Sequence, residues 1–143
     1  MKKLPMWPQF APETAKRVEA ILRSGKVNYW TGGEGKAFEA EFARWLGAKH
    51  ALAVSNGTAA LQLALTALGV GAGDEVVCTP YSFIASSTCA FNAGAKPVYA
   101  DVGTDHMLNA ETIEKALTPK TKAIVVVHLF GQVADMWSVP TSA

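Results

Sequence analysis

The chain has 143 residues, half of them hydrophobic, and 13 basic against 12 acidic side chains leave a formal charge of +1. That length suits one domain with a sizeable core, and with no Lys/Arg cluster interleaved with aromatics the charge argues against nucleic acid as a partner. The opening Met1-Lys2-Lys3-Leu4-Pro5-Met6-Trp7-Pro8 has no apolar signal-peptide core and no apolar run is long enough to cross a bilayer, so the expectation is a cytoplasmic protein without a membrane partner.

Taken in chain order, Pro12 to Ser24 is predicted as an amphipathic helix, with Ala15, Val18, Ile21 and Leu22 on one face and Gly25 as its stop. Asn28-Tyr29-Trp30-Thr31-Gly32-Gly33 reads as a mobile loop with two aromatics. Glu34 to Leu46 is a second helix whose apolar face carries Phe38, Phe42 and Trp45, ended by Gly47. The apolar run Ala51 to Val54 suits a buried parallel strand. Ser55-Asn56-Gly57-Thr58 then opens a helix in which Leu61, Leu65 and Leu68 recur at helical spacing.

That strand-to-helix turn is the most informative stretch. The first N–H groups of a helix have no intrahelical partner, and together with the positive end of the helix dipole they form an anion site. Gly57 lets a ligand approach the backbone, and Thr58 adds a hydroxyl. Ordinary N-capping by Ser55 or Asn56 is the alternative reading of the same residues.

Beyond it the pattern alternates. Glu75 to Thr79 is a strand, Phe83 to Asn92 a helix, Pro97 to Asp101 a strand, Glu111 to Leu117 a helix and Lys122 to Val127 a strand. Such alternation implies βαβ units and a mostly parallel sheet, an α/β fold. Cys78 and Cys89 fall in a strand and a helix, without a further Cys or a His at metal-ligand spacing. They read as reduced core residues, and no metal site is expected. A dinucleotide fold needs G-x-G-x-x-G and a Walker loop needs Gly-Lys-Ser/Thr, and neither is present. The turn is therefore expected to hold a smaller phosphate, that of a phosphorylated cofactor or sugar.

The run Gly47-Ala48-Lys49-His50-Ala51-Leu52-Ala53-Val54-Ser55-Asn56-Gly57-Thr58-Ala59-Ala60-Leu61 resembles the opening of the DegT/DnrJ/StrS family. Further blocks match in order: Gly73-Asp74-Glu75-Val76, Thr79-Pro80-Tyr81-Ser82-Phe83-Ile84-Ala85-Ser86, Gly94-Ala95-Lys96-Pro97-Val98, Thr118-Pro119-Lys120-Thr121-Lys122-Ala123-Ile124, and His128-Leu129-Phe130-Gly131-Gln132-Val133-Ala134-Asp135-Met136. Trp30-Thr31-Gly32-Gly33 is similar to the family's N-terminal active-site loop. The resemblance runs from about Val18 to Met136.

The family comprises pyridoxal-phosphate (PLP) dependent aminotransferases acting on nucleotide-linked keto sugars, so the resemblance implies a three-layer α/β/α, aspartate-aminotransferase-like (PLP fold type I) large domain in truncated form. It implies residues 1–33 as N-terminal helix and active-site loop, 34–136 as the front of the PLP-binding domain, and 137–143 as a divergent tail. By position, Gly57 and Thr58 would bind the PLP phosphate and Phe83 would stack on its ring. Tyr29, Trp30 and Thr31 would border the sugar pocket or, alternatively, dock their loop onto the domain. His128 would be a hydrogen-bonded structural histidine or a general acid/base. Asp101 would end its strand or cap a turn, and Asp135 would cap a following helix. The implied partners are a nucleotide-sugar substrate, an amino donor (glutamate) and a second subunit in a homodimer.

In the family the Schiff-base lysine and the aspartate that protonates the pyridine nitrogen lie downstream of the Gly131-Gln132 block. Lys49, Lys96, Lys115, Lys120 and Lys122 match no such motif, and Trp137 to Ala143, with Pro140 set against a helix, do not resemble the continuation. The chain is thus expected to be the front portion of an aminotransferase, inactive by itself, whether a truncated frame, a frameshift or half of a split gene. The alternatives are a PLP-dependent sugar dehydratase, or a non-catalytic product that binds a full-length relative. The fold also implies that strands 75–79, 97–101 and 122–127 are adjacent, that strand 51–54 stands apart, and that the chain alone is poorly stable.

Overall fold

A computed structural model describes residues 6–139, so Pro140 and the reading placed on it lie outside the described residues. The elements run α1 (Pro12–Ser24), α2 (Glu34–Leu46), α3 (Gly57–Ala67), β1 (Glu75–Cys78), α4 (Ala85–Asn92), β2 (Lys96–Tyr99), α5 (Ala110–Glu114) and β3 (Thr121–Ile124), followed by a 3-10 turn at Leu129–Gly131. The chain divides into two compact units, Met1–Ala53 and Val54–Ala143.

In the first unit α1 and α2 have the bounds expected from the sequence. Pro12 opens α1, where its missing N–H costs nothing. Both helices stop at a glycine, Gly25 and Gly47, each at a φ of +69°, the left-handed conformation that a side chain disfavours. Arg17 donates through Nε and Nη2 to Oε2 of Glu34 at 3.2 and 2.8 Å, tying α1 to the start of α2.

In the second unit the sheet order is β2-β1-β3, with β1 parallel to both neighbours. The three strands expected to be adjacent are adjacent, and β1, buried along its whole length, is the central one. Strand periodicity then sorts the core. Val76 and Cys78 face a cluster with Leu65 of α3, Val70, Cys89 and Ala90 of α4, Ala95 and Val125. Val77 faces the opposite side, against Ala100, Leu108 and Ile113 of α5. Helices on both faces of a parallel sheet give the three-layer α/β/α arrangement.

Several boundaries differ from the sequence reading. Ala51–Val54 forms no strand: no described strand pairs with it, and the Ala53 N–H donates to the Glu39 side chain at 2.8 Å instead. Without a ladder partner, apolar composition alone does not make a strand. α4 begins at Ala85 rather than Phe83, because Phe83 and Ile84 lie in the preceding turn, whose carbonyls accept from Ser86 and Ser87. α5 ends at Glu114, three residues short of Leu117. Leu68 is the C-cap of α3 and is exposed, whereas Leu61 and Leu65 pack inward.

Candidate cofactor site

Helix α3 begins at the residue where the anion turn was expected. Asn56, in extended conformation, is its N-cap, and its Oδ1 accepts the Ala59 N–H at 2.9 Å while its carbonyl accepts Ala60 N–H at 3.1 Å. Capping and anion binding are therefore not exclusive here. The cap consumes the Ala59 donor, and among the described residues the N–H groups of Gly57 and Thr58 donate to no protein acceptor. Both residues are exposed. A Cβ at Gly57 would meet no atom within 4 Å, and its φ lies outside the left-handed range. Neither backbone strain nor packing among the described residues requires glycine there.

Phe83 sits two residues ahead of α4, and 72% of its surface is exposed. With Thr79, Pro80, Ser82, Ile84, Ser87 and Tyr99 it lines a cavity of about 330 Å³. Helices α3 and α4 pack side by side, one leading into β1 by a short connection and the other following it by another. Both run against β1, so both begin at its C-terminal end, where open α/β sheets bind their ligands. The topology directs Gly57, Thr58 and Phe83 toward the same end of the sheet, although neither Gly57 nor Thr58 lines the cavity beside Phe83. Two free amides at a helix start fit a phosphate, and an exposed ring fits a flat heteroaromatic face. PLP bound there would supply the electron sink for carbon–nitrogen chemistry, and Gly57, Thr58 and Phe83 are the residues that would hold it.

Tyr29, Trp30 and Thr31 belong to the first unit. Asn28 organises their loop: its Oδ1 accepts the N–H groups of Trp30 and Thr31, both at 3.0 Å, and the Thr31 hydroxyl at 3.2 Å. Tyr29 donates its hydroxyl to Glu39 Oε2 at 3.0 Å, and the Lys36 ammonium lies 5.5 Å from its ring centroid. That carboxylate raises the Tyr29 phenol above its ordinary value, since the anionic acceptor favours the protonated donor. Trp30 meets Tyr29 edge to face at 6.0 Å and is otherwise 86% exposed. Asn28 and Glu39 escaped the sequence reading. An Asn ahead of two aromatics is a recognisable turn signal, whereas nothing in the sequence joins Glu39 to a tyrosine ten residues earlier.

His128 accepts the Ala134 N–H on Nδ1 at 3.1 Å. Asp101 accepts the N–H of Val102, and Asp135 that of Trp137, in a turn where a helix was expected. Lys49, Lys96, Lys115, Lys120 and Lys122 are all exposed, with Lys96 paired to Glu75 at 3.0 Å and Lys115 to Glu111 at 2.7 Å.

Residues 8–143 match the DegT/DnrJ/EryC1/StrS aminotransferase family. The chain belongs to this family. It is similar to the L-glutamine:2-deoxy-scyllo-inosose aminotransferase of Streptomyces paromomycinus, 41% identical over 92% of this chain and 32% of that protein. It is similar also to the dTDP-3-amino-3,4,6-trideoxy-alpha-D-glucose transaminase of Streptomyces venezuelae, 42% identical over 91% of this chain and 34% of that protein. Among solved structures, the aminotransferase from Psychrobacter cryohalolentis superposes with a TM-score of 0.84 at 49% identity, covering 89% of this chain and 32% of that one. Other solved relatives, from Streptococcus pneumoniae and Bacillus subtilis, are in PLP and PMP forms. The fold is that of the PLP-type aminotransferases. The chain spans about a third of the length of the DegT/DnrJ/EryC1/StrS relatives it matches.

Proposed function

We propose that this chain is the cofactor-phosphate portion of a PLP-dependent sugar aminotransferase. In this reading Gly57 and Thr58 hold the phosphate through their N–H groups, Phe83 covers the pyridine ring, and Tyr29, Trp30 and Thr31 contact the sugar substrate. The observation that carries it is the pair of unpartnered amides at the start of α3 behind a glycine that packing does not require. The substrate class is a keto sugar linked to a nucleotide, supported by the dTDP-sugar named for one relative, with glutamate or glutamine as amino donor, the latter as named for another. The chain by itself supplies phosphate and ring contacts but no lysine that matches the family's lysine motif. It is accordingly proposed to be inactive alone, and a homodimer when whole.

The test uses the chain as it is, titrated with PLP and with pyridoxal, which lacks the phosphate, and followed by tryptophan fluorescence. PLP is expected to bind at least tenfold more tightly than pyridoxal. The substitution Gly57→Val fills the open space with little effect on folding and is expected to remove that preference. Equal affinity for the two compounds, or a Gly57→Val chain that still prefers PLP, overturns the reading.

A further inference from the structure

Glu39 lies half-buried on α2, and each of its carboxylate oxygens is committed to a different segment of the first unit. Oε2 accepts the Tyr29 hydroxyl at 3.0 Å, and Oε1 accepts the Ala53 N–H at 2.8 Å. Tyr29 is thereby fixed at its hydroxyl. Its ring is confined further by Gly35, where a Cβ would come within 3.1 Å of Cδ2, and by the Lys36 ammonium. Among the described residues Trp30 has no comparable anchor. Asn28 holds its N–H, its ring meets that of Tyr29 edge to face, and the rest faces solvent. A rigid tyrosine beside an open indole leaves a flat apolar face available to a planar ligand group, at low cost in side-chain entropy.

We propose that Glu39 is a positioning residue for substrate recognition: it clamps Tyr29 so that Trp30 presents its ring to the nucleotide end of the substrate. This rests on the aminotransferase reading and deepens it, because it assigns the nucleotide, rather than the cofactor, to the 28–31 loop. Glu39 touches neither ligand and acts through Tyr29. Glutamine keeps the shape, its Oε1 accepting the Ala53 N–H and its amide nitrogen donating to the phenol oxygen in a reversed hydrogen bond, whereas alanine removes both contacts.

The experiment compares the unaltered chain with Glu39→Ala, Glu39→Gln and Tyr29→Phe, using dTDP as the nucleotide probe and PLP as the cofactor probe. Far-UV circular dichroism verifies that each variant is folded, and Glu39→Gln serves if Glu39→Ala is not. The phenol titration at 295 nm reports the contact itself: one tyrosine is expected to ionise at lower pH in Glu39→Ala than in the unaltered chain. Glu39→Ala and Tyr29→Phe are expected to weaken dTDP binding at least fivefold, Glu39→Gln to restore it to within twofold, and none to change PLP affinity more than twofold. If PLP binds normally while Glu39→Ala and Tyr29→Phe bind dTDP as the unaltered chain does, or no variant or parent binds dTDP, the Glu39 assignment fails and the cofactor reading stands. If the unaltered chain binds neither probe, both fail.

Discussion

Two glycines show how one residue type serves opposite ends. A Cβ at Gly32 would lie 2.6 Å from the Lys26 carbonyl oxygen and 3.0 Å from that of Asn28, so the loop that carries Trp30 can close only around glycine. At Gly57 a Cβ would meet no described atom within 4 Å, so packing among the described residues does not require glycine there. Sequence position singles out Gly57 as a residue a ligand can approach, whereas the steric demand at Gly32 emerges only from its atomic surroundings. The cysteines were easier to read, since both were expected inside and both are fully buried. Burial, and then the neighbouring Cys89, pushes the Cys78 thiol up to about 11, and burial raises Cys89 too. The thiolate is the reactive form, so neither should react readily when folded. With a disulfide reagent at pH 8, the native chain is expected to label at least tenfold more slowly than the urea-unfolded chain. Rapid labelling of both thiols without denaturant would show that this core is open.

At the level of elements, β1 is held at its start by a clamp that spans the sheet. Glu75 accepts from Lys96 Nζ of β2 at 3.0 Å on one oxygen and from the Thr118 hydroxyl ahead of β3 at 2.6 Å on the other, while its N–H donates to the Lys120 carbonyl at 2.8 Å. The Thr118 hydrogen bond and then Lys96 hold the Glu75 carboxyl below its ordinary 4.5. A carboxyl lowered on folding stabilises the native state above its unfolded pKa, and that contribution disappears as pH falls through the folded value. The midpoint of urea-induced loss of circular dichroism should therefore be lower for Glu75→Gln than for the unaltered chain at pH 7. The gap should narrow as pH falls below 4.5, and a gap that does not narrow there would remove the charge from the explanation. Neither partner of Glu75 is local, so the clamp was invisible in the sequence, although the strand it anchors was not. Legibility followed the range of the interaction: Gly25 and Gly47 fixed two helix ends from local geometry, whereas Ala51–Val54 needed a distant neighbour to become a strand and has none among the described residues.

At the scale of the whole molecule, hydrophobic period identified which faces are apolar but not what covers them. Val18 and Leu22 of α1, and Phe38, Phe42 and Trp45 of α2, form the faces expected from the pattern, yet all are exposed, and the three α2 aromatics meet in a row along the helix, Phe38 stacked on Phe42 and Trp45 tilted against it. Phe83, Phe91 and Phe130 are likewise uncovered, and Trp137 is 100% exposed. Among the described residues β2 and β3 each pair only with β1, which leaves an outer edge of each strand without a ladder. Soluble monomers rarely expose apolar surface on this scale, and open strand edges add a template for association. Unfolding such a chain uncovers comparatively little new apolar area, and the urea slope scales with the area uncovered. The chain in isolation is therefore expected to bind 1-anilinonaphthalene-8-sulfonate strongly, to grow in apparent mass with concentration by light scattering, and to unfold with a shallower urea slope than compact proteins of its length. A monodisperse monomer that ignores the dye and unfolds steeply would mean that these faces find cover within the chain itself, and that the aromatic row of α2 belongs to a core.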